Sequence, residues 1–120
     1  MDGEISTDDV SDLLESGADV RIVDIRDSAS FERGHIPGSE NVPFNQLPAR
    51  IAEFEDADRV VTVCPHGKAS VQAARLIGSY EGSADATVES MAGGLEEWAD
   101  RYDLALGGEV ESGDDPDAPF

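Results

Sequence analysis

A chain of 120 residues, 39% of them hydrophobic, is long enough to build one hydrophobic core and too short for two domains. Its 27 acidic residues against 8 basic ones give a formal net charge of -19, which argues against a nucleic-acid partner because phosphate binding requires clustered cations. A single cysteine excludes an internal disulfide, so any thiol chemistry must be completed with an outside partner.

The excess of carboxylates also points to a particular environment. Such a charge opposes a compact fold in dilute buffer, whereas about 1 M salt shortens the Debye length to about 3 Å. Seven of the eight cations are arginines, so the composition favours a halophilic cytoplasmic protein over an ordinary acidic one. No apolar stretch approaches the roughly 18 residues of a membrane span, and the acidic N-terminus is unlike a signal peptide. We therefore expect a cytoplasmic protein with no membrane partner.

The first half of the chain carries two helix patterns separated by a strand pattern. Residues 8–16 have helical apolar spacing after a Ser-Thr-Asp-Asp start signal, and residues 20–25 are dense in β-branched residues, which is typical of a buried strand. A loop with room for one helical turn is expected over residues 28–43. Apolar residues on one helical face then predict a second helix over residues 48–55.

The second half repeats this alternation. Residues 59–63 form a β-branched run that ends directly on Cys64, and a third helix is expected from about residues 68–70 to Tyr80. A strand is expected over residues 86–89, with a fourth helix after the Gly-Gly pair that follows it. Alternating strands and helices predict an α/β fold with a parallel sheet covered on both faces. The acidic, Gly- and Pro-rich residues 107–120 predict a disordered tail after a domain of residues 1–106.

The loop that begins at Cys64 is the strongest candidate for a catalytic site. It leads from the carboxyl end of a buried strand into a helix, where ligands bind in open parallel sheets. Unpaired N–H groups and the helix dipole at that point favour an anion and lower the pKa of a thiol, as a sulfur nucleophile requires. Lys68, the only lysine, lies four residues from the only cysteine and adds a positive charge for a thiolate or an anion.

The alternative is an inert, buried cysteine, because cysteine is among the residue types most often buried. A lone cysteine at a strand end is frequently of this kind. The Pro-His-Gly-Lys turn that follows Cys64 favours the functional interpretation, since a cysteine that only packs needs neither a cation nor a flexible glycine beside it.

Four further residues are candidates around this loop. Asp24 and Arg26 end a parallel strand and so reach the same crevice, Arg26 as an anion contact or, as we favour, in an ion pair with Asp24 that fixes the loop. His35 stands in a Gly-His-Ile-Pro-Gly turn, which is more typical of a structural hydrogen bond than of a base. His66 is either a proton donor beside the sulfur or an exposed residue without a role. Two histidines and one cysteine do not suit a metal site, and no cofactor is expected.

Several motifs, in this order along the chain, resemble those of the rhodanese or thiosulfate sulfurtransferase family. They are residues 22–26 (IVDIR), 31–39 (FERGHIPGS), 41–43 (NVP), 63–70 (VCPHGKAS) and 91–98 (MAGGLEEW). The resemblance implies a rhodanese-like fold, with a roughly five-stranded, mostly parallel sheet flanked by helices on both faces. It also implies that Cys64 takes a sulfane sulfur from a small anion such as thiosulfate, or from a protein thiol donor. The resulting persulfide passes its sulfur to a thiol or to cyanide.

In that interpretation the backbone N–H groups of the loop form the anion cradle. They belong to His66, Gly67, Lys68, Ala69 and Ser70. The loop departs from the family where Pro65 and Ala69 replace basic residues, and Pro65 also removes an N–H group. These departures leave open a non-catalytic module that binds or senses a partner. Ser70 stands where related phosphatases place an arginine six residues after the cysteine, which argues against phosphatase activity.

Overall fold

The computed structural model describes residues 2–83 and 85–106, with the side chains of Asp2 and Ser83 excepted. The predicted disordered tail, residues 107–120, lies outside the described residues. The predicted domain boundary at residue 106 therefore stays a prediction.

The centre of the fold is a five-stranded sheet in which every neighbouring pair of strands is parallel. The spatial order is β1-β5-β4-β2-β3, so β4 lies in the middle. The strands are β1 (Asp2–Ile5), β2 (Arg21–Asp24), β3 (Glu40–Asn41), β4 (Arg59–Val63) and β5 (Thr87–Met91). The prediction of an α/β fold with a parallel sheet is confirmed.

Five α-helices connect the strands and cover the sheet. They are α1 (Thr7–Glu15), α2 (Ser28–Arg33), α3 (Leu47–Arg50), α4 (Ala69–Ser79) and α5 (Gly94–Arg101). Ser6 caps α1 by accepting a hydrogen bond from the N–H of Asp9 at 3.0 Å, as the start signal in the sequence indicated. The helices predicted around residues 8–16 and 68–80 and after the Gly-Gly pair are confirmed, with boundaries within a residue or two.

The predicted single helix over residues 48–55 is wrong. The chain instead forms a 3₁₀ turn (Phe44–Gln46), the short α3, and a second 3₁₀ turn (Ile51–Phe54). Arg50 departs from helical backbone angles, with φ -111° and ψ 8°, and this interrupts the helix. Leu47 and Phe54 are both fully buried, so core packing outweighs the regular helical repeat here.

The core lies in two layers, one on each face of the sheet. One layer packs α3 and α4 against residues such as Val60 of β4, and the other packs α1 and α5 against its neighbour Val61. Both valines are completely buried, so the central strand has helices on either side. Within the described residues, no helix combines the length and the apolar character that crossing a bilayer would require.

Candidate active site

Cys64 directly follows the last residue of β4 and opens the loop that leads into α4. The neighbouring strand ends beside it, because the N–H of Ile25 donates to the carbonyl of Val63 at 3.0 Å. The residue is only 2% exposed, and its side chain adjoins the apolar layer beneath α4. The predicted position at the carboxyl edge of a parallel sheet is therefore observed, but the sulfur is more enclosed than an open loop would leave it.

Three polar groups surround the Cys64 sulfur. The N–H groups of Gly67 and Ser70 donate to Sγ at 3.1 and 3.3 Å, and the Ser70 hydroxyl oxygen lies 3.2 Å away. Burial raises the pKa of this thiol, but hydrogen bonds from the Ser70 hydroxyl and from the backbone of Ser70, His66 and Gly67 outweigh it. The pKa of Cys64 is therefore lower than that of an ordinary cysteine, as a sulfur nucleophile requires.

A second layer of hydroxyl groups lies behind Ser70. The Oγ atoms of Ser90 and Ser70 are 2.6 Å apart, and the hydroxyl of Thr62 donates to the Ser70 carbonyl at 2.6 Å. All three residues are completely buried, and Thr62 and Ser90 are paired in register on β4 and β5. The sequence analysis did not identify Thr62 or Ser90. Thr62 is a hydroxyl residue within the apolar run of β4, whereas Ser90 follows Glu89 and becomes meaningful only once the pairing of β4 with β5 is known.

The loop is fastened to the start of α5. The first N–H groups of an α-helix have no acceptor within the helix itself. In α5 those of Leu95 and Glu96 donate to the carbonyls of Cys64 and Pro65 at 2.9 and 3.0 Å. The approach is so close that a Cβ atom on Gly94 would lie 2.4 Å from the Pro65 carbonyl oxygen. The Gly-Gly pair of the sequence therefore shapes the cysteine loop through backbone contact.

Gly67, on the cysteine loop, packs against the backbone of the Gly-Gly pair. Its φ is +81°, and a Cβ atom there would lie 2.9 Å from the backbone nitrogen of Gly93. A side chain at this position is disfavoured both by backbone conformation and by contact. Gly67 thus places an N–H group on the sulfur in a turn that only glycine adopts readily.

The two side chains of the loop that carry charge point outward. Lys68 is exposed and precedes the first residue of α4, and it forms no ion pair with any described residue. His66 is exposed, and its Nδ1 atom lies 3.1 Å from Oε1 of Glu96 on α5. The groups that lower the pKa of Cys64 are the Ser70 hydroxyl and the backbone of Ser70, His66 and Gly67, and the contribution that the sequence analysis gave Lys68 stays a prediction.

Asp24 and Arg26 form the internal ion pair that the sequence analysis favoured. Nη2 of Arg26 is 2.7 Å from Oδ2 of Asp24, whose side chain is 1% exposed, and Nη2 also donates to the Gly34 carbonyl at 2.6 Å. Asn41 donates to the carbonyls of both residues. Since its Nε and Nη2 groups are engaged in this way, Arg26 helps to fix the loop after β2, and its alternative role as an anion contact stays a prediction.

His35 is a structural residue. It is completely buried, its ring stacks on Phe31 at 3.8 Å, and Nδ1 lies 2.7 Å from the Phe31 carbonyl oxygen. Its backbone exchanges two hydrogen bonds with Ala105, which tie the end of the described chain to the body. Among the described residues, no cluster of histidine, cysteine, aspartate and glutamate side chains is arranged to hold a metal ion.

A family model and the sequences of known proteins indicate the same family for this chain. The model of the rhodanese-like domain family matches residues 6–101. The chain is 39% identical over 98 residues to the thiosulfate sulfurtransferase GlpE of Pseudomonas aeruginosa, covering 82% of this chain and 84% of that protein. It is 32% identical over 106 residues to a sulfurtransferase of Allochromatium vinosum, covering 88% and 95% of the two chains.

The fold is also similar to solved structures. The crystal structure of the Alr3790 protein from Anabaena sp. superposes with a TM-score of 0.73 at 22% identity, covering 90% of this chain and 86% of that one. This likeness supports the architecture of the five-stranded sheet and its helices.

Proposed function

The chain belongs to the rhodanese-like domain family, and we propose that it is a sulfurtransferase in which Cys64 carries the transferred sulfur as a persulfide. The observation that carries this proposal is the set of polar groups on Sγ, all within 3.3 Å of a thiol whose pKa is lowered: two N–H groups that donate to it and one hydroxyl that donates when the sulfur is ionised. These donors stabilise a negative charge at the sulfur position, which is where a thiolate or a persulfide anion would bear it.

The reaction has two displacement steps on sulfur. The Cys64 thiolate attacks the outer sulfur of thiosulfate, an S–S bond forms, and sulfite leaves with the electron pair of the broken bond. An acceptor nucleophile, either a thiolate or cyanide, then attacks the outer sulfur of the persulfide and regenerates the Cys64 thiolate. Because the chain has a single cysteine, the second nucleophile must come from another molecule.

Two features of the loop suit a small anionic donor. The N–H groups of Lys68 and Ala69 meet no acceptor within the described residues, and they lie at the start of α4, where the helix dipole favours a negative charge. Lys68 is exposed and forms no ion pair with a described residue, in a protein whose net charge is -19. An ammonium group with no ion pair among the described residues is available to a donor anion.

The enclosure of Cys64 supports a small group at the sulfur. With 2% of the residue exposed, a single terminal sulfur atom is a better match than a bulky phosphoryl group. The same enclosure, together with the missing N–H at Pro65, favours the second candidate, a non-catalytic module that binds a partner with this loop. The two candidates differ in one measurable property, namely whether Cys64 gains sulfur.

Mass spectrometry of the intact protein after incubation with thiosulfate tests the proposal. We expect a gain of one sulfur atom that is reversed by cyanide and absent from Cys64→Ser. The incubation belongs at about 1 M NaCl, so that screening protects this acidic chain from unfolding. If the folded wild-type protein gains no sulfur from thiosulfate, an organic trisulfide or a small-molecule persulfide, then the sulfurtransferase assignment fails and the binding module remains.

The role of Lys68 is tested separately with a charge-matched control. Lys68→Ala should raise the KM for thiosulfate several-fold and leave the alkylation rate of Cys64 unchanged. Arg33→Ala makes the same change in net charge at an exposed position on α2 and should leave KM unaltered. Equal effects of the two substitutions would show that Lys68 contributes only to the overall charge.

A further inference from the structure

A buried row of two serine hydroxyl groups ends on the Cys64 sulfur, and the proposed reaction gives no role to Ser90, the serine farther from the sulfur. Ser90 Oγ lies 2.6 Å from Ser70 Oγ, which lies 3.2 Å from Cys64 Sγ. Ser70 and Ser90 are completely buried, so water does not compete for these contacts. Among the described residues, the Ser90 hydroxyl has no hydrogen-bond partner other than Ser70.

Counting the hydrogens of this row shows which state of the sulfur it fits. Each serine hydroxyl carries one hydrogen to donate. With an ionised sulfur, Ser90 donates to Ser70 and Ser70 donates to Cys64, so both hydrogens are used. With a neutral thiol there are three hydrogens in the row and two contacts, so one buried hydrogen finds no acceptor among the described groups. Leaving a buried donor unpaired is costly, and the row therefore favours the ionised sulfur.

We propose that Ser90 is a positioning residue, whose hydroxyl donates to Ser70 Oγ and so turns the Ser70 hydrogen toward the sulfur of Cys64. Ser90 touches neither the sulfur nor a substrate and acts through Ser70 alone. The inference deepens the proposed function and rests on it to the extent that the ionised sulfur is the nucleophile. Its geometry, however, concerns the thiol itself and can be tested without sulfur transfer.

The charged groups around Cys64 are the same with or without the Ser90 hydroxyl. The titratable or charged side chains on the loop and the elements beside it include His66 and Lys68 on the loop, Asp24 and Arg26 in their ion pair after β2, and Glu96 at the start of α5. A serine-to-alanine change at position 90 alters none of these charges. A change in the ionisation of the sulfur in that variant is therefore a hydrogen-bond effect.

The test is the rate of alkylation of the single cysteine by iodoacetamide as a function of pH. Ser90→Ala should move the midpoint of the profile upward by roughly half to one pH unit, the size expected for one lost hydrogen bond, while the rate at high pH stays unchanged. Ser90→Thr keeps the hydroxyl and should restore the midpoint. Ser11→Ala, which removes another buried serine hydroxyl on α1, is the matched control and should shift nothing.

A double substitution separates positioning from general loosening of the site. If Ser90 acts through Ser70, then adding Ser90→Ala to Ser70→Ala moves the midpoint no further. A profile for Ser90→Ala that coincides with the wild type, or a shift equally large in Ser11→Ala, overturns the inference. So does a fully additive double variant. Because alkylation needs no donor, these outcomes hold whether or not the chain takes sulfur from thiosulfate.

Discussion

Replacing Gly94 by alanine tests whether α5 holds the cysteine loop in place. The φ of Gly94 is +65°, and a Cβ atom there would lie 2.4 Å from the Pro65 carbonyl oxygen and 2.6 Å from that of Cys64. Both oxygens accept hydrogen bonds from the first N–H groups of α5. The loop backbone must therefore move away from α5 to admit the methyl group, and both hydrogen bonds must lengthen.

The expected loss of stability has two parts. A left-handed backbone costs alanine about 1–2 kcal/mol. Two weakened backbone hydrogen bonds add about 1 kcal/mol each, which makes the total about 3–4 kcal/mol. Gly17→Ala provides the matched control, because Gly17 has a φ of +73° but nothing within 4 Å of the added methyl group. It should lose the conformational part alone, about 1–2 kcal/mol.

Urea unfolding at high salt measures this difference, and alkylation of Cys64 reports on the loop. Gly94→Ala should be the less stable variant by about 2 kcal/mol and should shift the pH profile of alkylation upward, because the N–H donors move off the sulfur. Gly17→Ala should keep the wild-type profile. Equal stability losses in the two variants would refute the close contact. A destabilised Gly94→Ala with unchanged alkylation would refute the link between α5 and the sulfur.

Three further outcomes follow from charge. Arg26→Ala leaves the buried Asp24 carboxylate unpaired and should cost about 3–5 kcal/mol, whereas Arg50→Ala, which breaks an exposed pair with Glu53, should cost at most about 1 kcal/mol. Similar losses in urea titrations would contradict this contrast. The pKa of Cys64 is lower in the folded chain than in the unfolded one, so between those two values the unfolded chain binds more protons. The unfolding free energy should therefore rise with pH across that interval, and this rise should be missing in Cys64→Ser. Finally, a net charge of -19 predicts higher stability at about 1 M than at about 0.1 M NaCl, and unfolding midpoints that do not rise would contradict it.

The groups that lower the pKa of the Cys64 thiol are neutral hydrogen-bonding groups. The pKa of Cys64 is lowered by the Ser70 hydroxyl and by backbone N–H groups, and the share that the sequence analysis gave the ammonium group of Lys68 in holding the thiolate stays a prediction. These donors are buried or partly buried, so salt screens them little, unlike an exposed ammonium group.

The sequence alone determined the elements that local patterns specify. Residues adjacent in the chain specify the β-branched run of β4, the capped start of α1 and the turn after Cys64. Each of these was predicted close to its observed bounds. The motif order was sufficient for the family. The strands β1 and β3 were missed, because β1 contains one buried apolar residue and β3 has two residues, so neither carries a pattern of its own.

What the tertiary structure decided are the contacts between residues far apart in the chain. Ser90 lies 20 positions from Ser70, and the Gly-Gly pair meets a loop almost 30 residues earlier. Nothing in the local sequence distinguishes Ser90 from a surface serine. It acquires a role because parallel pairing of β4 with β5 brings its hydroxyl behind the loop. Burial there excludes water, and the low local dielectric strengthens each hydrogen bond.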